Sequence, residues 1–132
     1  MEHRGILIDT SIVIEYLRST KREKTNFIQL FQKYDIFLSV ISVFELFNGA
    51  KDQNKKQDID TIIREVNTQN FTLETAKIAS EIYRNLRKQN KIIEFRDILI
   101  AATSIQYNLP IATLNIKHFE RIKNLQIIDI KQ

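Results

Sequence analysis

Apolar residues along this chain fall into two kinds of run. Short unbroken runs, Ile6-Leu7-Ile8, Ile36-Phe37-Leu38-Ser39-Val40-Ile41 and Ile111-Ala112-Thr113, suit strands covered on both faces, as in a parallel sheet. Between them, apolar residues recur at helical intervals: Phe27, Leu30, Phe31 and Tyr34; Ile59, Ile62, Ile63 and Val66; Leu73, Ala76, Ala79, Ile82, Tyr83 and Leu86. Short strands alternating with amphipathic helices predict an α/β sandwich built around a mainly parallel sheet.

Local signals place the boundaries. Thr10 or Ser11 is suited to cap a first helix running through Leu17, and Thr20-Lys21-Arg22-Glu23 has the spacing of a capping box for a second. The second strand is expected to reach Ile41, with a short helix over Ser42 to Ala50 and Asn48-Gly49 near its end. Lys51 to Asp58 has the charge of a loop before the next helix, and Asn67-Thr68-Gln69-Asn70 reads as a turn, followed by a brief strand at Phe71. Asp97 opens an apolar helix that Asn108-Leu109-Pro110 stops. Phe119 and Ile122 anchor a last helical turn, and Leu125 to Ile130 alternates like an edge strand.

The length of 132 residues fits a single domain spanning 1–132, with neither repeat nor linker. Only two glycines and one proline are present, so most of the chain is expected in regular elements. The absence of cysteine excludes disulfides, thiolate metal sites and cysteine nucleophiles. The polar start and the three-residue first apolar run match neither a signal peptide nor a membrane span, which predicts a cytoplasmic protein with no membrane partner. A net charge of +4 is compatible with a polyanionic partner and equally with an ordinary solvated surface.

Three acids stand in apolar surroundings. Asp9 ends the first strand, Glu45 interrupts Val43-Phe44 and Leu46-Phe47, and Asp97 precedes Ile98-Leu99-Ile100. Burying an unpaired carboxylate costs several kcal/mol or forces it to take up a proton, so such acids need partners. Each falls near a strand-to-helix junction or one turn into a helix, where residues distant in sequence converge on one rim of a parallel sheet. A shared hard cation, Mg²⁺ or Mn²⁺, would reconcile all three. Asn115 is a candidate neutral oxygen ligand or water holder, and the Thr113 hydroxyl can orient a carboxylate or water. Each residue also has a plain structural role open to it: Asp9 as a helix cap, Glu45 as the partner of Ser42 in a capping box, Asp97 as a dipole-complementing acid, Asn115 as a turn residue. His118 lacks a nearby second histidine and is a weak candidate ligand.

Ile8-Asp9-Thr10-Ser11, Ser42-Val43-Phe44-Glu45-Leu46-Phe47-Asn48-Gly49-Ala50, Asp97-Ile98-Leu99-Ile100-Ala101-Ala102, and Ala112-Thr113-Leu114-Asn115 with His118-Phe119 resemble, in order and spacing, the PIN-domain ribonucleases. The branch they resemble most is that of the VapC toxins of bacterial and archaeal toxin-antitoxin pairs. The resemblance implies a three-layer α/β/α sandwich with an acidic pocket for Mg²⁺ or Mn²⁺, in which Asp9, Glu45 and Asp97 match the family's acidic positions. Many members have a further acid at or beside Asn115. The amide here leaves open whether one metal or two are held; Glu94, three residues before Asp97, is a candidate to compensate and otherwise an exposed connector residue.

The expected activity is metal-assisted hydrolysis of RNA phosphodiesters, leaving a 5′-phosphate and a 3′-hydroxyl, with Asp9, Glu45, Asp97, Thr113 and Asn115 as site residues. The resemblance also implies a small DNA-binding antitoxin and a homodimer. Ile14, Leu17, Phe27 and Phe31 suit either a dimer face or the core. Lys51, Lys55, Lys56, Arg84, Arg87, Lys88, Lys91, Arg96 and Lys117 are candidate phosphate contacts. Two alternatives stand beside this reading: an RNA-binding or protein-interaction module on the same scaffold with lapsed catalysis, and an RNA-processing nuclease that is not a toxin. Aspartyl-phosphate phosphatases need a second Asp where Ser11 stands, and phosphorylation-receiver domains need an acidic pair near the first strand that this chain lacks.

Overall fold

A computed structural model describes residues 3–128 and 130; Met1, Glu2, Asp129, Lys131 and Gln132 lie outside the described residues. Five parallel strands form one sheet in the order β3-β2-β1-β4-β5, with β1 Gly5–Ile8, β2 Asp35–Ser39, β3 Asn67–Gln69, β4 Ile111–Ala112 and β5 Ile127–Ile128. The helices are α1 Thr10–Arg18, α2 Asn26–Lys33, α3 Val40–Asn48, α4 Gln53–Glu65, α5 Leu73–Lys88, α6 Phe95–Gln106 and α7 Ile116–Phe119.

Side chains along a strand alternate between faces, and here that alternation divides the core in two. Ile6, Ile8, Ile36 and Leu38 pack with Ile12 and Val13 of α1, Phe27 and Leu30 of α2, and Ile59 and Ile62 of α4. Leu7 and Ile111 pack on the other face with Ala79, Ile82 and Leu86 of α5, Ile98 and Ala101 of α6, and Phe119 of α7. The result is the expected α/β/α sandwich. At about 25 cal/mol per Å² of apolar surface, each fully buried isoleucine or leucine contributes roughly 1.5–3 kcal/mol, so the central strand β1, whose Ile6, Leu7 and Ile8 are fully buried, is firmly held. Gly5 opens that strand because a Cβ there would meet Leu109 Cδ2 and Phe37 Cε1, each at 2.9 Å.

Several boundaries differ from the sequence reading. β2 ends at Ser39, whose hydroxyl caps α3 by accepting from the Ile41 amide at 3.0 Å, so Val40 and Ile41 are helical and Ser42 lies inside α3. The Ser42 and Glu45 pair is therefore no capping box. Thr20 to Glu23 does not open α2 either: a 3₁₀ turn occupies Arg22–Lys24, and α2 starts after Thr25. The charged stretch after Lys51 is mostly helix, because the Asp52 side chain accepts from the Lys55 amide and starts α4 at Gln53. The polar segment Asn67–Gln69 is strand β3, paired with Phe37, Leu38 and Ser39, and Phe71 lies beyond it. Backbone pairing at a sheet edge needs no apolar side chains, which is why polarity misplaced it. Of Leu125 to Ile130, Ile127–Ile128 pairs with β4 as an edge strand. Phe27 is core, Phe31 is 39% exposed, and Ile14 and Leu17 are half-buried.

Candidate active site

The three lone acids meet where the topology of a parallel sheet leads. β1 ends at Ile8 and delivers Asp9 beyond its carboxyl edge, α3 leaves the end of neighbouring β2 and carries Glu45, and β4 on the other side ends just before Thr113. A cavity of about 220 Å³ at this rim is lined by Asp9, Glu45, Asp97 and Asn115 among others. Glu94, Arg96 and His118 line it too.

Asp9 is both helix cap and site residue, two roles the sequence posed as alternatives. Its Oδ1 accepts from the Ser11 amide at 3.0 Å and from the Ser11 hydroxyl, which caps α1. Its Oδ2 accepts from the Thr113 hydroxyl at 2.6 Å. A carboxylate has about four lone-pair positions, so three acceptances leave one on Oδ2 for a further partner. Ser11 Oγ in turn accepts from the Leu114 amide at 3.1 Å, and Thr113 Oγ1 from the Asn115 amide at 2.9 Å. The segment after β4 is thereby clamped to the start of α1. Burial pushes the Asp9 carboxyl above the ordinary carboxylate value, assisted by the charge of Asp97 and opposed by its Ser11 and Thr113 hydrogen bonds.

Glu45 is held from α1. Thr10 Oγ1 lies 2.6 Å from Glu45 Oε1 and 2.9 Å from Ser42 Oγ. A hydroxyl has one hydrogen and a carboxylate none, so Thr10 donates to Glu45 and accepts from Ser42. Sequence reasoning offered Ser42 and Thr10 as helix caps, but Asp9 caps α1 and Ser39 caps α3, and the contact between Thr10 and Ser42 could not be read from either segment.

Arg96 and His118 complete the cavity. Arg96 Nε stands 3.2 Å from Glu45 Oε2, and the same guanidinium pairs with Glu94. That pairing lowers the Glu94 carboxyl below its ordinary value and raises the guanidinium. His118 Nδ1 lies 2.9 Å from Asp97 Oδ2. Burial raises the Asp97 carboxyl and the His118 contact opposes the rise. His118, a weak candidate from sequence, is thus a direct neighbour of a site acid. Its signal was its place three residues after Asn115. Asn115 itself is exposed, lines the cavity, and makes no side-chain cap to α7. Arg96 was one basic residue among nine candidates. Among the described residues, no three acid or imidazole groups already form a metal-binding cluster. The donor set is nonetheless oxygen throughout, carboxylates plus an amide, which is the chemistry hard divalent cations take, and Arg96 shows that the cavity accommodates positive charge between Glu45 and Glu94.

The PIN domain family model matches residues 6–125. The chain belongs to the PIN-domain family. This PIN domain is 36% identical to Ribonuclease VapC of Rickettsia bellii over 96% of each chain. It is 33% identical to Ribonuclease VapC1 of Methanocaldococcus jannaschii, over 97% of this chain and 90% of that one. Its fold matches a chain in the crystal structure of DNA-bound VapBC from Salmonella typhimurium with a TM-score of 0.86, covering 98% of this chain and 99% of that one at 21% identity. The expected architecture and family are both met. Among the described residues no helix is long and apolar enough to cross a membrane.

Proposed function

We propose that this PIN domain is a divalent-metal-dependent endoribonuclease, the toxin of a toxin-antitoxin pair, with Asp9, Glu45 and Asp97 as the acids that hold the ion. The observation that carries the reading is the convergence of Asp9, Glu45 and Asp97 on one cavity from three separate elements. Relatives named as ribonucleases over nearly the full length support the activity, and the likeness to a VapBC chain supports a small DNA-binding antitoxin as partner.

Asp9, Glu45 and Asp97 would hold Mg²⁺ or Mn²⁺, which would supply Lewis-acid chemistry that offsets phosphate charge and lowers the pKa of water. The protein's own share is positioning. Thr113 and Ser11 hold Asp9 in one orientation, Thr10 holds Glu45, and His118 holds Asp97. Hydrogen bonds from Ser11 and Thr113 favour the ionised form of Asp9 and offset part of the rise that burial causes. Asn115 at the rim takes the neutral place beside them, orienting water or the ion without adding charge. Arg96 pairs with Glu45 and Glu94 at the cavity wall and is a candidate phosphate contact there.

The test is cleavage of labelled structured and unstructured RNAs by the purified chain with Mg²⁺, Mn²⁺ or EDTA, beside Asp9→Asn and Asp97→Asn. Products with 5′-phosphate and 3′-hydroxyl ends are expected with metal alone. Cleavage that survives EDTA or both substitutions overturns the metal-dependent reading. Growth arrest on expression, relieved by a neighbouring small gene product, is the expected signature of a toxin; a chain harmless to its host when expressed alone overturns that part.

A further inference from the structure

The acid cavity borders a second one. A cavity of about 530 Å³ shares Glu94, Asp97 and His118 with the acid cavity, so the two adjoin on the side of the site bounded by α6 and α7. Its remaining walls differ in character. Lys117 and Arg121 bring two exposed cations from α7 and the residues after it, and among the described residues neither forms an ion pair. Ile92 and Ile93, from the connector before α6, bring apolar surface, and Ile92 is 62% exposed.

An isoleucine left in water beside two unpaired cations and next to the site is an arrangement that a nucleotide satisfies. Its phosphate takes the cations and its base covers the apolar surface. Another cavity of about 360 Å³ borders the site and carries Arg18, Lys51 and Lys55, but of the three site acids it meets only Glu45. The cationic cavity shares Asp97 itself, which places it beside the acids rather than at the edge of the site.

We propose that this second cavity is the subsite for the nucleotide flanking the cut, with Lys117 and Arg121 holding the phosphate next to the scissile one and Ile92 and Ile93 covering its base. The proposal rests on the ribonuclease reading above. It assigns RNA contact to Arg121, Ile92 and Ile93, and to Lys117 a defined position rather than a diffuse surface charge. Cleavage therefore depends on the charge of one particular neighbouring linkage.

The experiment uses the full chain and a short single-stranded RNA with one cut site. Versions of the RNA carry an uncharged methylphosphonate one linkage to either side of the cut. Wild type is compared with the Lys117→Ala/Arg121→Ala double variant, and with Lys117→Arg/Arg121→Lys as the conservative control. In the double variant, kcat/KM is expected to fall about tenfold, through KM with kcat little changed, and the slope of log affinity against log salt to shrink by about 0.7 for one lost phosphate contact. The neutral linkage on one side should cost wild type a similar factor and the double variant nothing more, while the conservative control should behave as wild type. Unchanged kcat/KM, a loss confined to kcat, or neutral linkages that weaken both proteins equally overturn the subsite. If wild type cleaves no RNA, the ribonuclease reading fails by itself. The same coupling measured by binding of these RNAs to Asp9→Asn then decides the subsite, and its absence overturns it.

Discussion

Thr113 donates its hydroxyl hydrogen to Asp9 Oδ2 at 2.6 Å across 104 positions of the chain, and both residues are buried. The bond joins the ends of two adjacent strands, β1 and β4, at the place where the sheet presents its site. It also sets the electrostatics of that site, because burial disfavours the Asp9 charge and this bond with those of Ser11 favours it.

Replacing Thr113 with valine keeps the shape and removes the donor. Hydrogen bonds to charged groups contribute about 1.5–3 kcal/mol, and urea unfolding at neutral pH should show a loss of that order. The loss should shrink at low pH, where Asp9 is protonated, and Thr113→Ser should recover most of it. Ribonuclease activity should fall in Thr113→Val even under conditions where the variant remains folded.

The raised carboxyls of Asp9 and Asp97 give stability a defined pH dependence. Below the ordinary value of 3.8, folded and unfolded chains both carry the protons. As pH rises above it, the unfolded chain ionises first, so these two groups make the metal-free protein less stable as pH passes through their raised folded values. Asp58 acts in the opposite sense: its salt bridge to Arg22 lowers its value, and the stability it contributes is lost as pH falls. Asp9→Asn should flatten the loss at rising pH and melt higher than wild type in EDTA near pH 7, since asparagine caps a helix about as well as aspartate. Thermal melts across pH check this; a large destabilisation would mean that capping by the charged form dominates.

Arg96 competes for the same carboxylate as the ion. In Arg96→Gln, Glu45 loses its cation, and the concentration of Mg²⁺ or Mn²⁺ for half-maximal cleavage should drop several-fold. A metal titration of activity reads this directly. The pair is more than half exposed on the arginine side, so fold stability should hardly change.

Phe119 is fully buried and anchors α7, the helix that carries Lys117 and His118. Phe119→Ala should cost about 3–5 kcal/mol in denaturant unfolding, as large-to-small changes of core aromatics do. Any folded fraction should show weakened activity, because the partner of Asp97 loses its support.

Strand and helix periodicity made the sandwich legible, since Ile6-Leu7-Ile8 is apolar on both faces and the helices each have one apolar stripe. It failed where local chemistry was ambiguous between two geometries. Ser39 and Ser42, three positions apart, are both of the type that caps helices, and the helical course of Val40 and Ile41 makes Ser39 the cap. Asn67–Gln69 has turn composition, yet pairing with β2 makes it a strand.

The sequence by itself determined which acids would be exceptional. Asp9, Glu45 and Asp97 each interrupt apolar surroundings, and the cost of burying a lone charge makes that pattern informative without any coordinates. What only the tertiary structure decided is how those charges are reconciled: Asp9 by Ser11 and Thr113, Glu45 by Thr10 and Arg96, Asp97 by His118. Hydrogen bonds and ion pairs act over about 3 Å, and no local pattern along a chain reports which distant side chain the fold brings within that distance.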